Sequence, residues 1–339
     1  MSEPSSPDPA ADETSSRRSL FARIPLFALV VLAVAWGIGQ LFRDQSILTA
    51  LCFYVPSPVL ATLLVVTLLV GVWRRWRVRV LAVGLALLPV LVAIAVLENQ
   101  WQAPAVAPTD PEAFVTHQVI HWNVKGGLFG WDRAATELVE SKADLIVLSE
   151  TPSGFGDDEI QLRFGEPYYG LQFGRLHVVG HGELTDRKWL YRFGGLTVAS
   201  LRWKLDGIER KVFLVDLHSD PLLHREPLLL ELLKLMKEHE PDLVLGDFNT
   251  PRRARLLDEL PAGWRHAYRA AGAGWGYTWP TPIPVYAIDH ALVREEVEVI
   301  GYHLETSSAS LHRRQRMEIR SPRPADRRLP STEPRTRRH

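Results

Sequence analysis

Several apolar runs in this sequence end on a polar residue: Asn123 after VIHW, Glu150 after DLIVLS, His218 after VFLVDL, Asp247 and Asn249 after DLVLG, and Asp289 after VYAI. Such a run reads as a strand that holds its terminal side chain rigidly at a sheet edge. Carboxylate and amide oxygens are what a hard divalent cation takes as ligands. Hydrolysis of a phosphate ester needs such a cation, a base for the attacking water, and donors toward the developing oxyanion. These residues are of the types that chemistry requires. Taken one at a time, each has a plainer reading. A Glu after a strand is a solvated edge, and a lone His is structural. Asp-Phe-Asn after a Gly is a turn in which Asp and Asn bond their own backbone.

The elements that must position these residues follow from apolar patterning. Strands are expected at 117–123, 144–149, 176–180, 195–203, 210–217, 242–246 and 297–303. Helical periodicity covers 131–141 and 222–239, with Leu223, Leu230, Leu233 and Met236 sharing one face of the second helix. Strands and helices mixed in this way predict an α/β or α+β layered domain without internal repeats. Periodicity alone leaves open a parallel sheet or packed mixed sheets. The loop GWGYTWPTP (274–282) carries Trp275, Tyr277 and Trp279, which could stack on a base, meet lipid, or pack over the domain edge. His181, after another strand, reads as structural or surface.

In their order along the chain, five motifs resemble the endonuclease/exonuclease/phosphatase superfamily, which includes deoxyribonuclease-I-like nucleases, abasic-site endonucleases, neutral sphingomyelinases and inositol-polyphosphate phosphatases. They are HWNVKGG (121–127), DLIVLSET (144–151), DLHSDP (216–221), LGDFNT (245–250) and AIDHALV (287–293). The resemblance implies a sandwich of two packed mixed β-sheets flanked by helices. It implies Mg²⁺ or Mn²⁺ held by Glu150 with Asn123. It assigns His312, oriented by Asp289, as base toward the attacking water. Asp247 and Asn249 would position nucleophile and phosphate, and His218 would donate to a phosphoryl oxygen or assist the leaving group. His290 would be a neighbour of the site. The family closes with Ser-Asp-His, but here Leu311 stands before His312 in place of the Asp, and Ser149 stands where Gln is common. Leu311 removes an oxygen the family offers its metal. One metal or two therefore stays open, as does a second reading: a degenerate domain that binds phosphorylated ligands or proteins without turnover. The substrate expected is a phosphate ester, whether nucleic acid, phospholipid or small phosphodiester.

The resemblance stops at the amino-terminal third. Runs 24–42, 47–73 and 80–97 carry no charge and approach the length that crosses a bilayer, so three transmembrane α-helices are expected over 20–97. Pro56, Pro58 and Pro89 are better tolerated there than in soluble helices. Arg17, Arg18 and Arg23 precede the first run, and Arg74, Arg75, Arg77 and Arg79 fill the second loop. No Lys or Arg lies between Glu98 and Gln118. The positive-inside rule then predicts a multi-pass plasma-membrane protein, in so simple an anchor suggestive of a bacterium, with its catalytic domain extracytoplasmic. Trp73, Trp76 and Trp101 would mark the interfaces. The remaining segments are a disordered head (1–19), a Pro-rich spacer (98–116), the catalytic domain (117–320) and a disordered Arg-rich tail (321–339) able to touch the lipid bilayer's headgroups or another polyanion. Formal net charge is zero over 339 residues, so bulk charge names no partner. The single cysteine, Cys52, excludes an intramolecular disulfide and a Cys-rich zinc site.

Overall fold

A computed structural model describes residues 9–75, 77–105 and 112–324. The chain separates into two compact units, one ending at Ile94 and one beginning at Ala95. Trp76, the first eight residues, 106–111 and 325–339 lie outside the described residues. So does the corresponding part of the expected head, spacer and tail.

The first unit is helical: α1 (Pro9–Phe42), α2 (Ile47–Phe53), α3 (Ser57–Trp73) and α4 (Arg77–Val92), continued by a π-helical turn at Ala93–Glu98. Two stretches, Pro25–Phe42 and Arg77–Glu98, are long and apolar enough to cross a membrane. The expected middle span is not one straight helix, because α2 and α3 meet at a 55° bend. The break falls at Tyr54–Pro56. Pro56 has no N–H to donate, and it biases Val55 away from helical angles. Ser57–Pro58 then opens a new helix, with proline in the first turn where its missing donor costs nothing. The pair makes a third crossing only if both pieces act as one span. The α1 helix begins inside the segment expected as a disordered head. A reading by polarity passed over the helix formers Ala10, Ala11 and Glu13.

The second unit runs β1 (Phe114–Asn123), α5 (Trp131–Ser141), β2 (Leu145–Ser149), α6 (Asp157–Phe164), β3 (Tyr168–Phe173), β4 (Leu176–His181), β5 (Glu183–Phe193), β6 (Leu196–Leu205), β7 (Ile208–Leu217), α7 (Glu226–His239), β8 (Leu243–Asp247), α8 (Arg255–Asp258), β9 (Trp264–His266), α9 (Ala267–Ala271), β10 (Asp289–Arg294), β11 (Glu298–Glu305) and β12 (Arg314–Pro322). Two six-stranded sheets result, ordered β11-β12-β1-β2-β4-β3 and β5-β6-β7-β8-β10-β9. Both are mixed. Each has one parallel pair, β1/β2 and β7/β8, joined through a crossover helix, α5 and α7; the other pairs are antiparallel.

Alternation along β1 shows how the layers divide the strands. Val119 enters the core shared with Ala199, Leu214 and Leu245 of the other sheet. Ile120 turns the other way, onto Ala134 and Leu138 of α5. The α7 helix starts at Glu226 rather than 222. Pro227 sits in its first turn, and Arg225 is committed to the carbonyls of His218 and Asp220, which fixes 218–225 as a loop. Its buried face is Leu229, Leu232, Leu233 and Met236, whereas Leu230, expected on that face, is exposed. Fully burying a side chain such as Leu232 stabilises by roughly 1.5–3 kcal/mol, which fixes this rotation.

Both ends of the expected domain extend. β12 continues through Pro322, and Arg323 donates to the carbonyls of Glu112 and Phe114. Glu98, Asn99 and Gln100, expected at the start of a free spacer, bond to the folded domain instead. Gln100 pairs with Gly274 as an isolated bridge.

Candidate active site

Strand register brings the polar ends together. Asn123 lies opposite Ser149, Asp216 opposite Asp247, and Asp289 opposite Asp247 from the antiparallel side. Gly246, just before Asp247, lets β8 approach β7 closely: a Cβ there would lie 1.9 Å from the Val215 carbonyl oxygen. The two sheets meet through Asn123. Its amide nitrogen donates to Glu150 Oε1 at 2.9 Å and to Asp247 Oδ2 at 2.8 Å, while its oxygen accepts from the Lys125 backbone N–H. Both acceptors are carboxylates, so the nitrogen must face them. Asn123 therefore cross-links two carboxylates and offers the site its amide nitrogen, where an amide-oxygen ligand was expected.

Glu150 sits in the left-handed region (φ 51°), as do Lys125 (φ 49°) and Asn249 (φ 44°). Non-glycine residues in that region are strained, and they cluster at functional sites. Lys125 Nζ lies 3.3 Å from Glu150 Oε1 and Arg175 Nη2 lies 3.2 Å from Oε2. Burial would raise the Glu150 pKa, but the Asn123 amide and these two cations hold it below the usual carboxylate value. Asp247 is nearly inaccessible. Burial first, and then the Asp289 charge, push it up to about 8, although Asn249 N–H donates to it at 2.8 Å. Asp216 is pushed up to about 6 by burial and by the Glu150 carboxylate.

His312 Nδ1 lies 3.0 Å from Asp289 Oδ2 and 3.2 Å from Oδ1, so that nitrogen carries the proton. Both side chains are buried. Burial alone would lower the His312 pKa, but the Asp289 carboxylate reverses this and raises it. Asp289 is driven up by burial and down by His312, and the imidazole prevails. Backbone contacts fix the pair on every side. The Thr278 hydroxyl accepts the Asp289 N–H at 3.2 Å, Trp122 Nε1 donates to the His312 carbonyl at 2.9 Å, and Ser310 Oγ accepts the His312 N–H at 3.0 Å. Ser310 Oγ also donates to the Asn123 carbonyl at 2.6 Å, joining the loop that carries His312 to the end of β1.

Asp247, Asp289 and His312 present ligand atoms within 4.8 Å of one another, compact enough to hold a cation. Two of the three are already paired, which favours a carboxylate–imidazole dyad beside a third carboxylate. The wider donor set of Glu150, Asp216, Asp247 and the Asn249 amide fits a hard cation taking oxygen ligands. Asp216 and Asp247 resist ionisation beside other carboxylates, and a divalent charge would relieve that.

Among the expected residues, Asn123, Glu150, Asp247, Asp289 and His312 form one connected group. Asn249 Nδ2 is turned onto the Leu217 carbonyl at 2.7 Å, so it anchors the strand before His218. His218 is exposed on the rim, accepting the Asp220 N–H at its Nδ1. His290 stands aside, buried against the Thr250 carbonyl, with burial pushing its pKa down to about 3. Tyr277 is buried and Trp279 is half-buried, its ring centroid 6.4 Å from that of His312.

Sequence reasoning missed Asp216, Lys125, Arg175 and Thr278. Asp216 had a readable signal, since it stands two residues before His218 on the same side of a strand. Arg175 had none, because it comes from the β3–β4 turn. A buried chain behind the site also went unread. Tyr302 donates to Gln315, whose amide meets His121 Nδ1 at 2.8 Å, and His121 Nε2 meets Ser149 Oγ at 3.1 Å. Ser149, in the place of the usual Gln, closes that chain.

The Endonuclease/Exonuclease/phosphatase family model matches residues 120–311. The chain belongs to that family of phosphoester-hydrolysing nucleases and phosphatases, which typically depend on a divalent metal. Among solved structures, an endonuclease/exonuclease/phosphatase family protein from Bacteroides thetaiotaomicron superposes with a TM-score of 0.50 at 14% identity, covering 61% of this chain and 98% of that one. TDP2 from D. rerio, complexed with single strand DNA product, superposes at 0.50 and 16%, covering 60% and 98%. At such identities the likeness establishes the fold. No curated protein matches the chain.

Proposed function

We propose that this member of the family is a membrane-anchored, Mg²⁺- or Mn²⁺-dependent phosphodiesterase whose catalytic domain lies outside the cytoplasm. The observation that carries the proposal is the buried Asp289–His312 pair set beside Asp247 and the Glu150–Asn123 link. The anchor rests on the two helices long enough to cross a membrane, with the bent α2–α3 pair as a third crossing.

Glu150 and Asp247 would hold the cation, with Asn123 fixing both carboxylates and Asp216 and Asn249 at the margin. When bound, the cation supplies Lewis-acid stabilisation of charge on the phosphoryl oxygens. Asp289 fixes the His312 tautomer and stabilises its charged form, so the ring nitrogen away from Asp289 takes a proton from the attacking water. Lys125 and Arg175 add positive charge at the Glu150 edge, and His218 donates from the rim to a phosphoryl oxygen or the leaving group. Leu311 contributes no ligand to this set; its carbonyl serves the Thr281 N–H.

The rim supports an amphiphilic phosphodiester, a phospholipid, as substrate. Exposed large apolar side chains stand on four segments next in sequence to, or in contact with, residues of the site: Leu128 and Phe129 after Lys125, Phe193 at the β5–β6 turn whose Gly195 abuts His218, Leu222 after His218, and Ile283 beyond Trp279. Large apolar side chains left exposed around a polar site favour an interaction surface over a solvated edge. The test is the full chain in detergent, assayed with Mg²⁺ or Mn²⁺ against phospholipid micelles, single-stranded DNA, RNA and bis-nitrophenyl phosphate. Turnover abolished by EDTA and by His312→Ala supports the proposal. EDTA-resistant turnover, or none on any of these, ends it, and faster turnover of DNA than of micelles ends the lipid reading.

A further inference from the structure

Residues Leu97–Gln100, which run from the last residues of the π-helical turn into the second unit, are bound at several points to α9 and the loop that follows it. Arg269 donates to the Leu97 carbonyl at 2.8 Å. The Tyr277 hydroxyl donates to the Glu98 carboxylate, and Asn99 Oδ1 accepts the Gly276 N–H at 2.7 Å. The Gln100 N–H donates to the Tyr268 hydroxyl at 2.8 Å, its side-chain amide donates to the Gly272 carbonyl at 2.8 Å, and its carbonyl accepts the Gly274 N–H at 2.6 Å. Arg252, fully buried and stacked 4.0 Å over the Tyr268 ring, donates to the Gly276 carbonyl at 2.6 Å and reaches the Glu98 carbonyl at 3.4 Å. Gly276 has no room to be anything else: a Cβ there would lie 2.6 Å from Tyr268 and 2.9 Å from Arg252.

The far side of the same loop holds the dyad. The Thr278 hydroxyl accepts the N–H groups of Ile288 and Asp289 at 3.1 and 3.2 Å. The Thr278 carbonyl accepts the Arg313 N–H at 2.8 Å, and the Arg313 guanidinium donates to the Trp275 carbonyl at 2.8 Å. Arg313 directly follows His312. From Asn99 the path therefore runs through Gly276 and two residues of loop to Thr278, which reaches Asp289 by one hydrogen bond and His312 by way of its neighbour Arg313. None of the loop's polar contacts with 98–100 involves water-exposed side chains at Asn99 or Tyr277, both nearly inaccessible.

We infer that Glu98, Asn99 and Gln100 are positioning residues of the active site, which hold the 274–278 loop so that Thr278 sets the spacing of Asp289 and His312. This rests on the reading of that pair as the catalytic dyad. Misplacing a catalytic group by about 1 Å from a distance costs on the order of a hundredfold in rate. The experiment uses the full chain in detergent with bis-nitrophenyl phosphate and Mg²⁺, comparing Asn99→Leu, Asn99→Asp and Tyr277→Phe with the parent. Asn99→Leu removes the acceptor for Gly276 N–H and should lower kcat about ten- to a hundredfold, with KM within about twofold. Asn99→Asp keeps an acceptor oxygen and should restore most of kcat. Tyr277→Phe, which removes one donor and keeps the ring, should lower kcat in the same KM-neutral way. Parental kcat in Asn99→Leu or in Tyr277→Phe overturns the inference, and so does a loss in Asn99→Asp as deep as in Asn99→Leu. If His312→Ala retains parental activity, the dyad reading itself fails, which is a different result.

Discussion

His312 and Asp289 are 23 residues apart in sequence and 3.0 Å apart in space, both sealed from solvent. A base must be neutral to accept a proton, and Asp289 raises the pKa of His312 above its ordinary 6.5. The rate should therefore climb with pH through a midpoint above 6.5. His312→Ala should lower kcat by about two to four orders of magnitude. Asp289→Asn should lower it comparably and move the midpoint toward acid, because burial is then opposed only by the weaker pull of Asp247 and Glu150. A pH–rate profile of parent and Asp289→Asn checks both, and an unmoved midpoint would sink the argument.

Glu150 gathers Asn123, Lys125 and Arg175 around one carboxylate. Glu150→Gln keeps the shape and removes the charge. Its activity should need at least about tenfold more Mg²⁺ for half-saturation, in line with the cost of disturbing a metal site. Titrating activity with Mg²⁺ after EDTA treatment reads this directly.

Burial, and then the Asp289 carboxylate, push the Asp247 pKa from its ordinary 3.8 up to about 8 on folding. Between those values the folded state holds more protons than the unfolded one, so stability falls as pH rises across that window. Metal-free protein should melt at a lower temperature at pH 8 than at pH 5. Millimolar Mg²⁺ should restore more of the loss at pH 8 than at pH 5. Thermal melts at both pH values, with and without EDTA, decide it.

Ser310 accepts the His312 N–H and donates to the Asn123 carbonyl. Ser310→Ala leaves both buried groups without that partner and should destabilise the domain by about 1–3 kcal/mol. Urea unfolding of the parent and variant measures it. A cost below about 0.5 kcal/mol would mean the two groups find other partners.

Leu162 is exposed on α6. In a Cys52→Ser background, Leu162→Cys should react with a membrane-impermeant maleimide added to intact cells. Labelling only after lysis would place the domain on the cytoplasmic side.

All seven strands expected from apolar runs exist, because each has an apolar stretch long enough to serve a core on one or both faces. The strands that escaped notice lack that signature. In β5, ELTDRKWLYRF lies mostly exposed at a sheet edge, and in β12 the apolar Met317 and Ile319 alternate with charged residues. The site was legible where a polar residue follows a buried run, as at Asn123, Glu150 and Asp247. Arg175 and Thr278 come from turns and loops whose placement depends on long-range packing, and local pattern carries no trace of that. Asn123 was identified as a site residue, but its orientation was not, since the choice of amide face belongs to the two carboxylates around it. The middle hydrophobic run was read as one span because composition counts Pro56 as one residue among 27, whereas geometry makes it a corner.

The binding of Glu98–Gln100 to the 272–278 loop changes where this protein can be cut. A boundary drawn from strand patterning falls at His117 and would yield a polypeptide with every recognisable motif intact. That fragment would also lack the residues bonded to the outer side of the loop beside Asp289 and His312, and a weak rate measured on it would describe the scissors rather than the enzyme.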